Sequence, residues 1–189
     1  MKAHTRAYLS LGTNVGDRLV NLVRAVRELD GTAGVVVADV SPVYETASLG
    51  PKNVVVATDP PHLNCAVLIE TQLSARALHA ETQRIERAMG RGEHGRWEPR
   101  VIDIDLLLFG EERIATAELT VPHASMFERA FVLRPLVDLD ANLTVAGVGR
   151  LDELLPALGR QRCELFAAAD AVRSVETRAD VIARSRAST

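Results

Sequence analysis

The chain has 189 residues, 47% hydrophobic and 25% charged, a composition typical of one globular domain with a substantial core. Its net charge of −3 provides no general basic surface for nucleic acid, and two cysteines are too few for a disulfide scaffold. The apolar runs are too short to span a bilayer, and the N-terminus lacks the apolar segment of a signal peptide. We therefore expect a cytoplasmic protein that binds neither nucleic acid nor membranes.

The first half of the chain predicts alternating strands and helices. The segment 6–11 is typical of a strand, and Asp17 is a suitable N-cap for the helix that follows it. Residues 35–45 predict a single strand in which Pro42 marks a bulge or an edge. The stretch 46–63 has no clear period, and loops of this length in compact domains are usually functional or disordered.

The second half begins with a strand predicted at 64–70 and a helix from Ser74 to Met89, with Gly90 in the left-handed position after it. The order of elements favours an α+β sandwich in which helices pack on a largely antiparallel sheet. We expect a domain at 1–163 and a polar tail at 164–189 that is helical or disordered. The remaining predicted elements are a strand at 100–109, a short strand near Ile114, an extended segment at 120–123 and helical turns at 127–137 and 151–158.

Two carboxylates interrupt the apolar strand at 100–109. Asp103 and Asp105 are two positions apart, so in a strand both leave the same face. Like charges this close repel each other unless a cation lies between them, and a divalent metal with oxygen ligands would supply one. Arg100 would then bind an anion that the metal also holds, which indicates a phosphate chain. The alternative is a solvated strand face with two surface aspartates, but Leu107 on the same face argues against it.

The segment Gly90–Gly95 matches the glycine pattern of dinucleotide-binding folds, but it follows a helix and leads into a strand. That pattern binds pyrophosphate only when it follows a strand and opens a helix, so we reject this interpretation. No P-loop pattern is present either. If the chain binds a nucleoside triphosphate, metal and arginines must replace the P-loop lysine.

Several separated motifs resemble the 6-hydroxymethyl-7,8-dihydropterin pyrophosphokinase family of folate biosynthesis. The similarity covers approximately residues 6–160 in the family's order. Its strongest element is Arg96–Leu107, which contains the aspartate pair. The supporting segments are Leu11–Asn14, Tyr44–Thr46, Leu49–Pro51, Leu63–Ala66, Gln83–Glu86, Leu108–Gly110 and Leu119–His123.

The resemblance implies a ferredoxin-like α/β/α sandwich and an enzyme that transfers pyrophosphate from ATP to the hydroxymethyl group of a reduced pterin, releasing AMP. It implies two Mg²⁺ ions with ATP as co-substrate, held by Asp103 and Asp105. It also implies that Arg91 and Arg100 stabilise the transferring group. The partners are then small molecules, ATP and the reduced pterin, and we expect a monomer.

The same resemblance assigns the substrate contacts. The implied ATP contacts are Gln83, Glu86, Trp97, Arg100, Thr120, His123 and Arg129. The implied pterin contacts are Thr46, Leu49, His62, Asn64 and Phe131. From its sequence context alone, a lone histidine after proline such as His123 is more often a structural hydrogen-bonder than a phosphate donor or a general acid or base.

This sequence departs from the family pattern at five positions. His62 stands where a stacking tyrosine is usual, and Glu98 where a small residue is usual. The other three departures are Ala47, Glu118 and Ala124. Two further hypotheses therefore stay open: a non-catalytic nucleotide- or pterin-binding module of the same fold, and a two-metal hydrolase that acts on nucleotides without pterin.

Overall fold

The computed structural model describes residues 4–48, 56, 59–90 and 100–173. Strands and helices alternate through the first half, and short elements follow in the second. The strands are β1 Thr5–Thr13, β2 Val35–Val40, β3 Val43–Thr46, β4 His62–Thr71, β5 Asp103–Phe109, β6 Ile114–Ala115, β7 Thr120–Val121, β8 Thr144–Val145, β9 Gly149–Arg150 and β10 Cys163–Ala167. The α-helices are α1 Arg18–Gly31, α2 Ala75–Ala88, α3 Ala130–Leu139 and α4 Asp170–Arg173, with 3₁₀ turns at Met126–Glu128 and Asp152–Leu158.

The main sheet of the described residues is antiparallel and runs in the order β10, β3, β4, β1, β5, with β2 also pairing with β4. Strand β1 therefore lies between β4 and β5, although some fifty residues or more separate it from each along the chain. This pairing places the end of β1 beside the aspartates of β5. The hairpins β6–β7 and β8–β9 form two small separate sheets.

Helices cover both faces of the main sheet. Leu22 of α1 and Leu78 of α2 are fully buried in one cluster with Leu9 and Leu11 of β1. On the other face, Leu133 of α3 packs in a second cluster with the alternate residues of the strands. The expected α/β/α sandwich with an antiparallel sheet is confirmed.

Helix boundaries follow local chemistry. The side chain of Asp17 accepts the Val20 N–H at 3.1 Å, and that of Ser74 accepts the Ala77 N–H at 3.3 Å. Gly90 follows α2 with φ of +98°, a conformation that favours glycine. The predicted N-caps and the predicted end of α2 are confirmed.

The expectation of a single strand at 35–45 is wrong, because the chain breaks into β2 and β3 at Ser41 and Pro42. Pro42 has no N–H for the sheet, and the hydroxyl oxygen of Ser41 accepts the Ala66 N–H at 2.8 Å. Ser41 also donates its own N–H to the Ala66 carbonyl at 2.9 Å. The buried Ser41 side chain thus replaces one of the hydrogen bonds between the strands at this break.

Ordered structure continues past residue 163. Strand β10 pairs with β3, and Val172 of α4 is buried against the α1 side of the core. Residues 174–189 of the predicted tail lie outside the described residues. None of the helices within the described ranges has both the length and the apolar character needed to cross a membrane.

Candidate active site

Three neighbouring strands bring the central polar residues together at one end of the sheet. Gly12 of β1 pairs with Asn64 of β4 on one side and with Asp103 of β5 on the other. Asp105 lies two residues further along β5 and pairs with Ser10 of β1. Directly paired residues of an antiparallel sheet project from the same face, so Asn64, Asp103 and Asp105 share the face that α3 covers further along. Leu107 continues this face into the core, as the sequence predicts.

Gly12 lies in the middle of the row Asn64, Gly12 and Asp103 and carries no side chain there. A Cβ atom at this position would lie 3.2 Å from Oδ1 of Asn64, closer than most side-chain contacts. Glycine in a strand interior often marks a close approach of another group, and here it leaves space between an amide and a carboxylate. Glycine at this position therefore lets the Asn64 amide lie close over the backbone of β1.

Arg100 is held beside the aspartates by a backbone clasp. Its N–H donates to Oδ1 of Asn14 at 2.8 Å, and its carbonyl accepts the Asn14 N–H at 3.2 Å. The guanidinium then lies 3.1 Å from Oδ2 of Asp103, in an ion pair that is largely shielded from solvent. Asn14 is buried, so the clasp fixes the cation next to the carboxylate pair.

Glu86 lies beneath the strand that carries the aspartates. Its side chain is 5% exposed, and Oε1 accepts the N–H of Ile104 at 2.7 Å. Ile104 is the residue between Asp103 and Asp105. The carboxylate therefore anchors the outer edge of β5 at the point where that strand presents its two aspartates.

The predicted pterin contacts on β3 and β4 are adjacent. Nδ2 of Asn64 donates to Oγ1 of Thr46 at 2.9 Å, and His62 pairs with Thr46 across the same two strands. The hydroxyl of Ser48 contacts Nδ1 of His62 at 3.0 Å and donates to the carbonyl of Pro60 at 2.6 Å. These bonds join the two ends of the predicted functional loop beside the pterin residues.

His123, Arg129 and Phe131 lie near one another at the start of α3. The His123 N–H donates to the Leu107 carbonyl at 2.9 Å, and the Arg129 guanidinium lies 5.6 Å from the ring centre of Phe131. Burial lowers the pKa of His123, helped by Arg129 and opposed by Asp103. His123 is therefore mostly neutral at pH 7, and its Nδ1 is buried without a hydrogen-bond partner among the described residues.

The other predicted contacts are more exposed or lie elsewhere. Gln83 is exposed on α2, where its Nε2 lies 3.1 Å from Nε2 of His79, and Thr120 is exposed on β7. Arg91, Trp97 and Leu49 lie outside the described residues, as does the departure at Glu98.

The family model described as 7,8-dihydro-6-hydroxymethylpterin-pyrophosphokinase (HPPK) matches residues 8–141. The chain belongs to the HPPK family. It is 44% identical to the 2-amino-4-hydroxy-6-hydroxymethyldihydropteridine pyrophosphokinase of Bacillus subtilis over 133 residues, 70% of this chain and 77% of the relative. It is 41% identical to the pyrophosphokinase of the same name from Methylorubrum extorquens over 144 residues, 76% of this chain and 87% of the relative.

The solved structures agree on the HPPK fold. A crystal structure of HPPK-DHPS in complex with substrates matches with a TM-score of 0.64 at 12% identity, covering 82% of this chain. The chain spans 43% of that solved protein, so the match concerns the HPPK portion. At this identity the likeness shows the fold alone.

Three of the departures from the HPPK pattern, Ala47, Glu118 and Ala124, lie on the surface. Glu118 is exposed and lies 3.5 Å from Arg76 of α2, so its charge has a cation nearby. Ala124 is exposed beside His123.

Three residues of the site, Gly12, Asn14 and Ser48, have no role that the sequence alone predicts. A glycine within a strand was the available signal for Gly12. The roles of Asn14 and Ser48 depend on partners distant in the chain, so no local pattern indicates them.

Proposed function

We propose that the row from Asn64 through Gly12 to Asp103, with Asp105 and Arg100 beside it, is the site where this HPPK acts. HPPK enzymes transfer pyrophosphate from ATP to the hydroxymethyl group of 6-hydroxymethyl-7,8-dihydropterin in folate biosynthesis. The observation that supports the assignment is the register of β1, in which Gly12 pairs with the predicted pterin contact Asn64 of β4 on one side and with Asp103 of β5 on the other.

In this reaction the pterin hydroxyl oxygen forms a bond to the β-phosphorus of ATP. The bond between that phosphorus and the oxygen bridging it to the α-phosphorus breaks, AMP leaves with the electron pair, and the hydroxyl proton passes to solvent. The transferred group carries negative charge throughout, so catalysis depends on positioning and on nearby cations. Arg100 supplies a fixed cation at this place, because Asn14 holds its backbone and Asp103 holds its guanidinium.

The donor set fits Mg²⁺. Asp103 and Asp105 are half-buried carboxylates on one face, and the described part of the chain contains no cluster of three or more His, Cys, Asp or Glu side chains that could hold a metal alone. Mg²⁺ typically binds one or two carboxylates together with substrate phosphates and water. We propose that these aspartates hold two Mg²⁺ ions with ATP, which would neutralise charge on the triphosphate.

The pterin would lie against Thr46, His62 and Asn64, with Phe131 near one ring face. The outer edge of β5, between α2 on one face of the sheet and the start of α3 on the other, would receive ATP. His123 suits this position, because a neutral imidazole has one donor and one acceptor nitrogen and can bond to a phosphate or sugar group. The closed loop base at Ser48 and Pro60 helps to exclude water from the pterin end.

The assignment is tested by Asp105→Asn, which keeps the side chain's size and removes its charge. We expect the rate of AMP formation to fall by roughly 100-fold or more, since even the loss of a residue supporting a metal ligand costs about 10–100-fold. Glu70→Gln is the matched control, because Glu70 is an exposed carboxylate at the opposite end of β4. Equal activity of Asp105→Asn and wild type would refute the assignment, as would an equal loss in the control.

A further inference from the structure

His62 has a fixed hydrogen-bond arrangement that follows from donor and acceptor chemistry. The carbonyl of Pro60 can only accept, so Ser48 donates its single hydroxyl hydrogen to it across 2.6 Å. The Ser48 oxygen is then an acceptor for its second neighbour, Nδ1 of His62, at 3.0 Å. Nδ1 must therefore carry the hydrogen, and in the neutral imidazole Nε2 has a free lone pair.

His62 lies at the proposed pterin end of the site. His62 begins β4 opposite Thr46, two residues before Asn64, so the three side chains share one face. Asn14, which follows the end of β1, accepts the N–H of Arg100 through its side-chain oxygen. Within the described parts of the chain, His62 makes its hydrogen bond through Nδ1, and none of those residues bonds to Nε2.

The groups facing His62 keep it neutral near pH 7. Burial lowers its pKa most, and the positive charges of Arg100 and of Arg18 on α1 add to this effect. Asp103 on β5 and Asp59 in the loop before β4 oppose it, but the pKa stays below its ordinary value. Protonation at lower pH would put a hydrogen on Nε2 and turn the acceptor into a donor.

We propose that His62 is a specificity-determining residue of the pterin site, whose Nε2 accepts a hydrogen bond from an N–H group of the reduced pterin ring. Reduced pterins carry ring N–H and amino donors along their polar edge, and Asn64 and Thr46 beside His62 supply further polar groups. The role rests on the proposed function of this site. It differs from the stacking role implied by the aromatic residue usual at this position, since a stacked ring needs no lone pair.

The experiment measures pterin KM at saturating ATP between pH 5 and pH 8 for wild type, His62→Phe and His62→Gln. Phenylalanine keeps a flat ring of similar size without an acceptor, whereas glutamine keeps an acceptor oxygen that does not titrate. We expect His62→Phe to raise pterin KM about tenfold at pH 7, the effect of losing one buried hydrogen bond. We expect His62→Gln to stay within about threefold of wild type.

The pH dependence separates the two roles. Because the pKa of His62 is lowered, pterin KM of wild type should rise only at pH values below the ordinary imidazole range of about 6.5, and this rise should be absent in His62→Gln. A wild-type pterin KM in His62→Phe, or an unchanged acid rise in His62→Gln, would overturn the proposal. If His62→Phe does not fold, the pH profile of His62→Gln decides the question alone.

Calorimetry tests the hydrogen-bonding role of His62 independently of pyrophosphate transfer. The pterin is titrated into each protein with Mg²⁺ and an ATP analogue whose α- and β-phosphates are joined by a methylene group, which blocks transfer. The same roughly tenfold weakening in His62→Phe supports the role of Nε2, and equal affinity for wild type overturns it. Wild-type protein that binds pterin without forming AMP from ATP contradicts the proposed function and leaves the His62 comparison measurable.

Discussion

Replacing Glu86 with alanine removes the acceptor of the Ile104 N–H, which is bonded at 2.7 Å beneath the aspartate strand. A buried donor left without a partner costs about 1–3 kcal/mol, and bonds to a charged group lie at the upper end. For a domain of this size each 1 kcal/mol lowers Tm by roughly 2–4 °C. A loss of about 2 kcal/mol therefore predicts a Tm lower by roughly 4–8 °C. Glu86→Gln keeps an acceptor oxygen and should lose less than half of this.

The same change should affect metal binding, because Ile104 lies between Asp103 and Asp105. We expect Glu86→Ala to bind Mn²⁺, a spectroscopic substitute for Mg²⁺, about tenfold more weakly with the methylene analogue of ATP, and Glu86→Gln to recover most of the affinity. Glu81→Gln is the matched control on α2, where Glu81 makes an exposed ion pair with Arg84 at 2.7 Å. Exposed pairs contribute little, so its Tm should stay near that of wild type.

The assay combines thermal unfolding with metal titration on the same preparations. If Glu86→Ala unfolds at the wild-type temperature and loses only ATP affinity, Glu86 contacts the nucleotide directly, as the family resemblance implies. The structural role assigned to Glu86 through its hydrogen bond with Ile104 would then be wrong. Equal effects of the alanine and glutamine variants would also contradict it, because only alanine lacks the acceptor.

Two further variants test the surroundings of the site. Asn14→Ala should lower kcat by roughly 10–100-fold, because it misplaces Arg100. Asn14→Asp keeps the acceptor oxygen and should recover most of the lost kcat. Equal kcat in Asn14→Ala and wild type would contradict the role of Asn14 in holding Arg100. Burial and the hydrogen bond donated to Asp140 raise the pKa of Tyr8 to about 12. The folded state therefore keeps this proton above pH 10, where the unfolded chain releases it, and stability should fall between about pH 10 and 12. Unfolding free energies from urea titrations should show a steeper slope in wild type than in Tyr8→Phe, where the raised pKa values of Tyr44, Cys65 and Cys163 still contribute; equal slopes would exclude the Tyr8 contribution.

Local sequence signals predicted the elements well. The alternation in β5 placed Asp103, Asp105 and Leu107 on one face because the side-chain period of a strand is two. The N-caps at Asp17 and Ser74 were identified because short polar side chains can accept the free N–H groups at a helix start. These features depend only on residues a few positions apart.

The register of the sheet could not be obtained in this way. Gly12 lies between Asn64 and Asp103 because β1 pairs with strands distant in the chain, and nothing near Gly12 indicates either partner. The bonding partner of the Glu86 side chain could not be predicted for the same reason. Its helical position is compatible with an ATP contact, and only the packing of α2 against β5 shows that it bonds to Ile104.

The break at Ser41 and Pro42 shows a second limit. Proline indicated a disturbance in the predicted strand but not whether the strand bulges or ends. The outcome depends on Ser41, whose hydroxyl oxygen accepts the N–H of Ala66 in another strand. Side-chain replacements for sheet hydrogen bonds need a partner that the local sequence does not contain.

The proposed activity of this site is pyrophosphate transfer to a reduced pterin. The most direct measurement is AMP formation by the wild-type chain from ATP and Mg²⁺, with and without 6-hydroxymethyl-7,8-dihydropterin. We expect AMP to appear only with the pterin, in a one-to-one ratio to pyrophosphorylated pterin. AMP or free phosphate released equally without the pterin, or no AMP at millimolar Mg²⁺ with both substrates present, would contradict it.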